Sequence, residues 1–299
     1  MAASKQKSPS SVGKPLPHDS AHLHVSGRAA YTDDIPEPRD LLHVAVGMSD
    51  RANARVLNID LDHVRKIPGV VQVMTDADIP GENNYGAIVH DDPILVESVA
   101  EYAGHPLFAV AATSIDAARK AARCAGVSYE ELDAILDIDT AVKRESFVLP
   151  SETMSRGDAD TALERSAHRL AGRSSCGGQD QFYLESQIAM AVPEENNGLT
   201  VYSSTQYPDE VQALVAAVTL REQKDVVVIC RRMGGAFGGK ESQAALIACL
   251  AALMSDKTGR PCKLRLDRDD DMIMTGKRLD VIFDYDVGFE DSGVIQGIK

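Results

Sequence analysis

The chain has 299 residues, 44% apolar and 25% charged, and these values exclude wholesale disorder. Its 31 Lys and Arg against 45 Asp and Glu give a net charge of −14, which argues against binding to nucleic acid or to an anionic membrane. The longest apolar run, residues 244–254, is shorter than the roughly 20 residues that cross a bilayer. Residues 1–13 carry no apolar export segment and the five cysteines form no CxxC pair, so we expect a cytoplasmic protein with reduced thiols.

The first part of the chain alternates between strand and helix patterns after a polar start. Residues 1–17, rich in Ser, Lys and Pro, predict a flexible tail. We predict strands at 42–48, 70–74, 106–112 and 127–130, and helices at 61–67 and, with Ser114 as N-cap, at 115–125. This alternation predicts a small α+β domain over residues 18–131. Residues 132–157 show no sustained periodicity, which is typical of a linker.

The second part, residues 158–299, has longer apolar segments. We predict strands at 187–192, 199–204 and 226–231, an amphipathic helix that opens at Pro208, and an apolar helix at 242–254. Val281, Phe283, Tyr285 and Val287 alternate with acidic residues, which predicts a half-buried strand followed by a hairpin turn at 290–293. A hairpin that stopped at Lys299 would leave a sheet edge open, so we expect the chain to be the N-terminal part of a longer protein.

A glycine loop, MGGAFGGKES at residues 233–242, lies between a predicted strand and the apolar helix. Four glycines in six residues permit positive φ angles and close approach of a ligand, and a helix N-terminus favours an anion. The GxxxxGK spacing of a P-loop is present, but Glu241 stands where Ser or Thr would bind magnesium, and GxGxxG is absent. A purely structural turn stays open as an alternative.

Several motifs, in order along the chain, resemble those of one family. They are GGQDQFYLE at 177–185, SSTQ at 203–206 with Pro208, RRMGGAFGGKESQ at 231–243, LDRDDDM at 266–272 and TGKR at 275–278. Upstream, PHDSA at 17–21, YTDD at 31–34 and ADIPG at 77–81 resemble an α/β-hammerhead domain. The chain is similar to the N-terminal portion of the molybdenum-binding subunit of bacterial-type xanthine dehydrogenases, in the xanthine dehydrogenase and aldehyde oxidase family of molybdenum hydroxylases.

The resemblance implies an α+β fold: an α/β-hammerhead domain, then the first part of a molybdopterin-binding domain at 158–299. It implies a molybdenum–molybdopterin cofactor and oxidation of hypoxanthine and xanthine to urate with oxygen from water, a step of purine catabolism. Electrons would pass to iron–sulfur clusters and FAD on a partner subunit or domain, in a dimer of heterodimers. The alternatives are an aldehyde oxidase-type hydroxylase or an inactive remnant, and we expect this portion alone to be inactive.

The resemblance also implies roles for individual residues. Gln179 would approach an oxygen ligand of molybdenum through its side-chain amide, in the metal's outer shell. Gly235, Phe237 and Gly238 would contact the cofactor, with the Phe237 backbone near the metal; core packing is the alternative for Phe237. Glu241 would hydrogen-bond a purine from a mostly apolar pocket, and a partner of the helix dipole is its alternative.

No catalytic residue is assigned within this sequence. The family's proton-abstracting glutamate belongs to its C-terminal half, so the catalytic base would lie beyond Lys299. Lys299 itself is expected only to lie in the returning strand of the final hairpin.

Three positions depart from the family pattern. Gln181 stands where His is usual, Ala236 replaces a glycine, and Leu279 stands where His often follows GKR. Because an alanine at position 236 also occurs among aldehyde oxidases, this residue makes the assignment of a purine substrate less specific. The acidic run at 267–271 lacks the EF-hand spacing and predicts a solvated turn and helix start, not a calcium site.

Overall fold

The computed structural model of the protein describes residues 11–299. The tail predicted at residues 1–17 therefore lies partly outside the described residues. From Ala21 to Glu131 the elements are α1 (Ala21–Val25), β1 (Leu42–Met48), β2 (Ala54–Asp60), α2 (Asp62–Arg65), β3 (Val70–Met74), β4 (Val99–Ala100), β5 (Pro106–Ala112), α3 (Ile115–Ala122) and β6 (Gly126–Glu131). The predicted strands 42–48, 70–74 and 106–112 are confirmed.

The remaining elements follow residue 137. They are α4 (Ile138–Lys143), α5 (Ala159–Arg165), β7 (His168–Cys176), β8 (Ile188–Pro193), β9 (Leu199–Ser203), α6 (Pro208–Val218), β10 (Val226–Ile229), α7 (Gln243–Thr258), β11 (Cys262–Arg265), α8 (Arg268–Met274), β12 (Val281–Phe289) and β13 (Ile295–Ile298). The predicted strands near 187–192 and 199–204, the helix at Pro208, the apolar helix and the final hairpin are confirmed.

One seven-stranded sheet contains strands from both sides of residues 132–157, in the order β10-β9-β8-β11-β1-β5-β3. The strands that precede residue 132 join those that follow residue 157 where β1 pairs in parallel with β11. In this pair Leu42 lies opposite Cys262 and Val44 lies opposite Leu264. The chain also forms two three-stranded sheets, β13-β12-β7 and β4-β2-β6. The domain boundaries at residues 131 and 158 stay a prediction.

The main core lies between this sheet and α7. Residues 244–254 of α7 are all buried, as its apolar sequence predicts, and they cluster with side chains of β8, β9 and β11. Val211, Val215 and Val218 of α6 add their common face to the same cluster. Within residues 11–299, no helix is both long and apolar enough to cross a membrane.

Local sequence explains several boundaries. The Ser114 hydroxyl oxygen accepts a hydrogen bond from the Ala117 amide, 3.2 Å away, so the predicted N-cap of α3 is confirmed. The helix ends at Ala122, three residues before the predicted end, because β6 must begin at Gly126 to pair with Asp60 of β2. The predicted linker contains the short helix α4, which the pattern did not indicate and which Asp137 caps.

The half-buried strand predicted near residues 281–287 is β12, but Phe283 departs from the pattern. β12 pairs with β7 along its whole length, while β13 covers only its last three residues. Phe283 lies in the uncovered part and is 54% exposed. On this pair of strands, Asp284 and Asp286 bind Arg173 and Arg169 across the sheet.

Lys299 lies at the end of this hairpin, as the sequence predicts. Its amide donates to the Asp286 carbonyl and its carbonyl accepts from the Asp286 amide, both at 2.9 Å. Its Nζ pairs with Asp160 of α5. These contacts give Lys299 a structural place in the small sheet.

Candidate functional site

The glycine loop joins β10 to α7, as the sequence predicts, and Gln206 holds it from the segment after β9. The Gln206 side-chain oxygen accepts hydrogen bonds from the amides of Gly238 at 3.1 Å and Lys240 at 3.3 Å. The Gln206 backbone amide donates to the Lys240 carbonyl at 2.9 Å. Three bonds from one residue therefore fix the second half of the loop.

The segment 183–185 lies directly against the loop, and this contact requires glycine. The Glu185 amide donates to the Gly234 carbonyl at 3.1 Å, and the Gly234 amide donates to the Glu185 carboxylate at 2.9 Å. A Cβ on Gly234 would lie 2.5 Å from Glu185 Cβ, and one on Gly239 would lie 2.6 Å from the Tyr183 ring. No side chain fits at either position, so these two glycines allow the segments to meet.

The middle of the loop has an unusual backbone. Gly235 and Gly238 have φ angles of 100° and 88°, and Phe237 between them has a φ of 55°. A left-handed conformation costs a residue with a side chain about 1 kcal/mol or more. The Phe237 side chain is 77% exposed, so the alternative that Phe237 packs in the core is wrong.

Three consecutive amides in this strained segment have no hydrogen-bond acceptor among residues 11–299. No residue in the described part of the chain accepts a hydrogen bond from the N–H of Gly235, Ala236 or Phe237. Amides at left-handed turns suit oxygen-rich or anionic ligands. The loop therefore fits a cofactor held by backbone contacts.

Beneath the loop lies a buried ion pair. The Lys240 side chain is fully buried, and its Nζ donates to the Ser204 hydroxyl at 2.8 Å and to the Glu185 carboxylate at 3.2 Å. The same Nζ lies 4.8 Å from the centre of the Tyr183 ring. Burial lowers the pKa of Lys240, and the Glu185 charge opposes that shift.

A second buried network connects the loop to α8. The Tyr183 hydroxyl donates to Asp271 at 2.7 Å, and the Gln187 side-chain amide donates to the Gly239 carbonyl at 2.8 Å. The Gln187 backbone amide donates to the other Asp271 oxygen at 2.7 Å. Burial raises the pKa of Tyr183, and the Asp271 carboxylate raises it further.

The acidic run at 267–271 is a helix start, as predicted, but one member is not solvated. Asp267 caps α8 by accepting from the Asp270 amide at 3.0 Å, whereas Asp271 is buried in the network just described. Across residues 11–299, no group of three or more His, Cys, Asp or Glu side chains could hold a metal ion.

The structure brings Gln179 and Phe237 to one pocket. Both backbone groups of Gln179 pair with Arg278, with N···O distances of 3.0 Å, so the strand-like bridge presents the Gln179 side chain in an exposed position. The pocket has a volume of about 670 Å³ and is lined by Gln179, Asp180, Gln181, Phe237, Lys277 and Arg278. Gly235 lies beside it, since a Cβ there would be 3.2 Å from the Phe237 ring.

Positive charge dominates one wall of this pocket. Lys277 lies 3.0 Å from Asp180 and pairs with it, while the Arg278 guanidinium donates to the Gly177 carbonyl at 2.7 Å. Burial opposes ionisation of Asp180, but hydrogen bonds from Lys277 and the Phe182 amide outweigh it, and the pKa of Asp180 lies below its usual value. Arg278 pairs with no carboxylate in residues 11–299, so its charge is available to an anionic ligand.

Glu241 does not line this pocket. Its side chain is exposed, so the mostly apolar surroundings expected for it are absent from the described residues. The helix-dipole alternative is also weak, because α7 begins at Gln243 and its first turn contains no acidic residue. The purine-binding role of Glu241 stays a prediction.

The catalytic base expected beyond Lys299 also stays a prediction. Lys299 lies outside the lining of the pocket that contains Gln179 and Phe237. Within this pocket the acidic residue is Asp180, which is already paired with Lys277 and is therefore poorly suited to accept a proton. The pocket thus offers groups that bind and orient, and the structure assigns no base to it.

Sequence reasoning assigned no role to Gln206, Glu185 or Lys277, although each lies in a segment that it singled out. Gln206 and Glu185 act on the loop from neighbouring segments, and only the folded chain shows that contact. A charged residue close to a buried strand, as Glu185 is, was the available indication.

Two family models match the chain. Residues 142–299 match one described as a molybdopterin cofactor-binding domain, and residues 26–133 match the a/b hammerhead domain of aldehyde oxidase and xanthine dehydrogenase. A structure of quinoline 2-oxidoreductase from Pseudomonas putida 86 superposes with a TM-score of 0.81 at 26% identity, over 94% of this chain and 38% of that one.

Curated relatives support the same family. Xanthine dehydrogenase/oxidase of Mus musculus is 37% identical over 289 residues, which are 96% of this chain and 22% of the mouse protein. Aldehyde oxidase 2 of Rattus norvegicus is 36% identical over 289 residues, which are 96% of this chain and 21% of the rat protein. The chain spans about a fifth of the length of these relatives. Together, the two matching family models and these relatives show that the chain belongs to the xanthine dehydrogenase and aldehyde oxidase family of molybdenum hydroxylases.

Proposed function

We propose that this chain is the N-terminal part of the molybdenum-binding subunit of a xanthine dehydrogenase-like hydroxylase. It would oxidise hypoxanthine and xanthine to urate with oxygen from water. The observation that carries the proposal is the pocket lined by Gln179 and Phe237, next to three loop amides that have no acceptor in the described part of the chain. An exposed phenylalanine in a strained conformation is costly unless a ligand uses it.

Gln179, Gly235, Phe237 and Gly238 are the residues that would hold the molybdenum cofactor. When bound, the cofactor supplies the two-electron oxidation of the substrate. The Gln179 amide can donate a hydrogen bond toward the metal's oxygen ligand without adding a charge, and the loop amides can bind polar atoms of the pterin. Arg278 and Lys277 offset negative charge at the pocket wall.

Electrons must leave the site through carriers that this chain does not supply. All five cysteines are free thiols and they are dispersed, so they offer no clustered ligands for iron–sulfur centres. We therefore propose a partner subunit or domain with iron–sulfur clusters and FAD, assembled as a dimer of heterodimers in the cytoplasm. Purified full-length protein that carried an iron–sulfur spectrum without a partner would contradict this division.

An aldehyde oxidase-type activity is the second candidate. Ala236 in the glycine loop favours it, and the identity to aldehyde oxidase 2, at 36%, is close to the 37% identity to mouse xanthine dehydrogenase/oxidase. We propose that Glu241 hydrogen-bonds the purine ring of the substrate, and that this contact determines which class of substrate is oxidised.

The test is substrate discrimination by Glu241→Ala in the full-length enzyme with its partner. If Glu241 hydrogen-bonds a purine, kcat/KM for xanthine should fall by roughly 10- to 200-fold, about 1.5–3 kcal/mol. Aldehydes lack ring nitrogens and should lose little. Glu195→Ala, which removes an exposed glutamate from the turn before β9, is the matched control and should leave both substrates unchanged.

Two results would contradict the proposal. Equal losses for xanthine and aldehydes would show that Glu241 supports the loop and does not select the substrate. A wild-type enzyme that oxidises aldehydes but not hypoxanthine or xanthine would establish the second candidate instead.

A further inference from the structure

A second cavity, of about 480 Å³, lies where the segment before β1 packs against the ends of β9 and β10. Arg232, just ahead of the glycine loop, holds this segment in place. Its guanidinium donates to the Ala30 carbonyl at 2.6 Å and to the Ser20 hydroxyl at 3.3 Å. The cavity is thus built by two parts of the chain that are about 200 residues apart.

Three arginines line this cavity: Arg28, Arg231 and Arg232. No acidic residue lines it, and none of the three forms an ion pair with a carboxylate anywhere in residues 11–299. Residues 1–10 contain no Asp or Glu. Three uncompensated positive charges in one cavity are unexpected in a chain whose net charge is −14.

The cavity beside α3 shows the contrast. It has a volume of about 420 Å³ and is also lined by three arginines, Arg51, Arg119 and Arg123. Each of these lies within 4.0 Å of a carboxylate oxygen, from Glu131, Asp267 and Asp270 respectively. The three arginines of that cavity are therefore paired with carboxylates, whereas Arg28, Arg231 and Arg232 have no such partner in residues 11–299.

Arg232 also has one donor without a partner in residues 11–299. Its Nε is buried and has no hydrogen-bond partner among the described residues. A buried donor without an acceptor costs about 1–3 kcal/mol. Arg51 Nε and Arg119 Nη2, at the cavity beside α3, are also unsatisfied among the described residues. The indication of a ligand therefore comes from the charges of Arg28, Arg231 and Arg232, which have no carboxylate partner in residues 11–299.

The rest of the cavity wall can receive an apolar body. Tyr31 and Tyr202 are half-buried, and the remaining lining residues are Leu23, Ala30, Thr32, Ile35 and Ile229. The volume falls in the range of about 300–1,000 Å³ typical of small-molecule sites. A lining that combines three guanidiniums with two aromatic rings favours a ligand with an anionic head and a flat body.

We propose that this cavity binds a phosphate monoester with an aromatic body. A phosphate carries about two negative charges and three acceptor oxygens, which matches three guanidiniums. A monocarboxylate would leave two of the positive charges uncompensated. The site is separate from the pocket lined by Gln179 and Phe237, and shares no lining residue with it.

The test is calorimetric binding of phenyl phosphate to the full-length protein at pH 8 and low salt. Three further probes each lack one feature of phenyl phosphate. Phenol lacks the phosphate charge, inorganic phosphate lacks the ring, and benzoate lacks the second negative charge. We expect phenyl phosphate to bind more tightly than all three. Arg28→Gln and Arg231→Gln should each weaken it about tenfold or more, because each removes a charged contact.

Arg55→Gln is the matched control, since Arg55 is a surface arginine of β2 that pairs with Glu130. It should leave phenyl phosphate binding unchanged. Binding should also weaken as salt increases, because the contacts are charged. Absence of phenyl phosphate binding, or binding that Arg28→Gln and Arg231→Gln leave intact, would overturn the proposal. Neither result depends on molybdenum or turnover, so the proposed function is tested separately.

Discussion

Lys240 connects the glycine loop to the segments beneath it through a buried ion pair. A fully buried lysine is rare and is tolerated only when its charge is paired. Here Glu185 and Ser204 bind its Nζ, and Glu185 also binds the loop at Gly234. The ion pair therefore connects the segment after β9, the segment before β8 and the loop at one point.

Replacing Lys240 with Met should destabilise the protein strongly. The change leaves the Glu185 carboxylate buried without its cation, which costs about 3–5 kcal/mol. Chemical denaturation of the full-length protein measures the loss. The double variant Lys240→Met/Glu185→Gln should recover part of it, because the remaining side chain is neutral.

The control is Lys257→Met, which breaks the partly exposed pair with Asp78 and should cost about 1 kcal/mol or less. Equal losses of unfolding free energy in the two lysine variants, with no recovery of stability in the double variant, would contradict this prediction. The buried pair would then contribute no more than the partly exposed one.

His105 gives the fold a defined dependence on pH. Its side chain is 3% exposed, stacks on Tyr102, and accepts a hydrogen bond from the Glu101 amide at 3.2 Å. Burial lowers the pKa of His105 to about 4, below its ordinary value of 6.5. As the pH falls, His105 therefore takes up a proton in the unfolded chain at a higher pH than in the folded protein. Its contribution to the free energy of unfolding is fully present above about pH 6.5 and is lost as the pH drops toward 4.

His105→Asn should remove this part of the pH dependence, worth about 3 kcal/mol at most between pH 7 and 4. Denaturation midpoints of both proteins across that range are the measurement. His63→Asn, which changes an exposed histidine, should keep the wild-type slope. If His105→Asn has the same change of denaturation midpoint with pH as the wild-type protein, His105 is not the cause of this pH dependence.

At the scale of elements, the glycine loop shows what sequence can and cannot predict. Its position between β10 and the apolar helix α7 follows from apolar runs and glycine content alone. That Gly234 and Gly239 are pressed against Glu185 and Tyr183 is a long-range contact, and no local pattern indicates it. Motif resemblance singled out both segments but not how they meet.

Gly239→Ala should disrupt this element. Its Cβ would lie 2.6 Å from the Tyr183 ring, which is itself fixed by Asp271, so the loop must move. Molybdenum per full-length protein should fall several-fold, measured by metal analysis. Gly126→Ala is the control, because its Cβ would be 3.7 Å from its nearest neighbour, Asp60. Full molybdenum content in Gly239→Ala would show that the loop geometry tolerates the shift.

Strands with few apolar residues were not predicted. β7, with the sequence HRLAGRSSC, lacks an alternating pattern and is stabilised by pairing with β12 along its whole length. β11 is only four residues long and includes Lys263, whose buried side chain pairs with Asp33 and Glu37. In both strands tertiary partners supply what the local sequence lacks.

At the scale of the whole molecule, the parallel pairing of β1 with β11 places the two matched segments in one sheet. The sequence indicates two successive domains, because strand and helix patterns report neighbours in the chain and not pairing across about 200 residues. The candidate site was predicted only in part: Gln179 and Phe237 share a pocket, while Glu241 lies outside it.

Whether this pocket and loop hold a molybdenum cofactor is the central question about the molecule. Metal and pterin analysis of the full-length protein, purified with its partner from cells grown with molybdate, tests it most directly. We predict about one molybdenum and one pterin for each copy of the chain, and a Gln179→Ala variant that oxidises all substrates more slowly to the same degree. Full-length protein that contains neither molybdenum nor pterin would contradict the assignment.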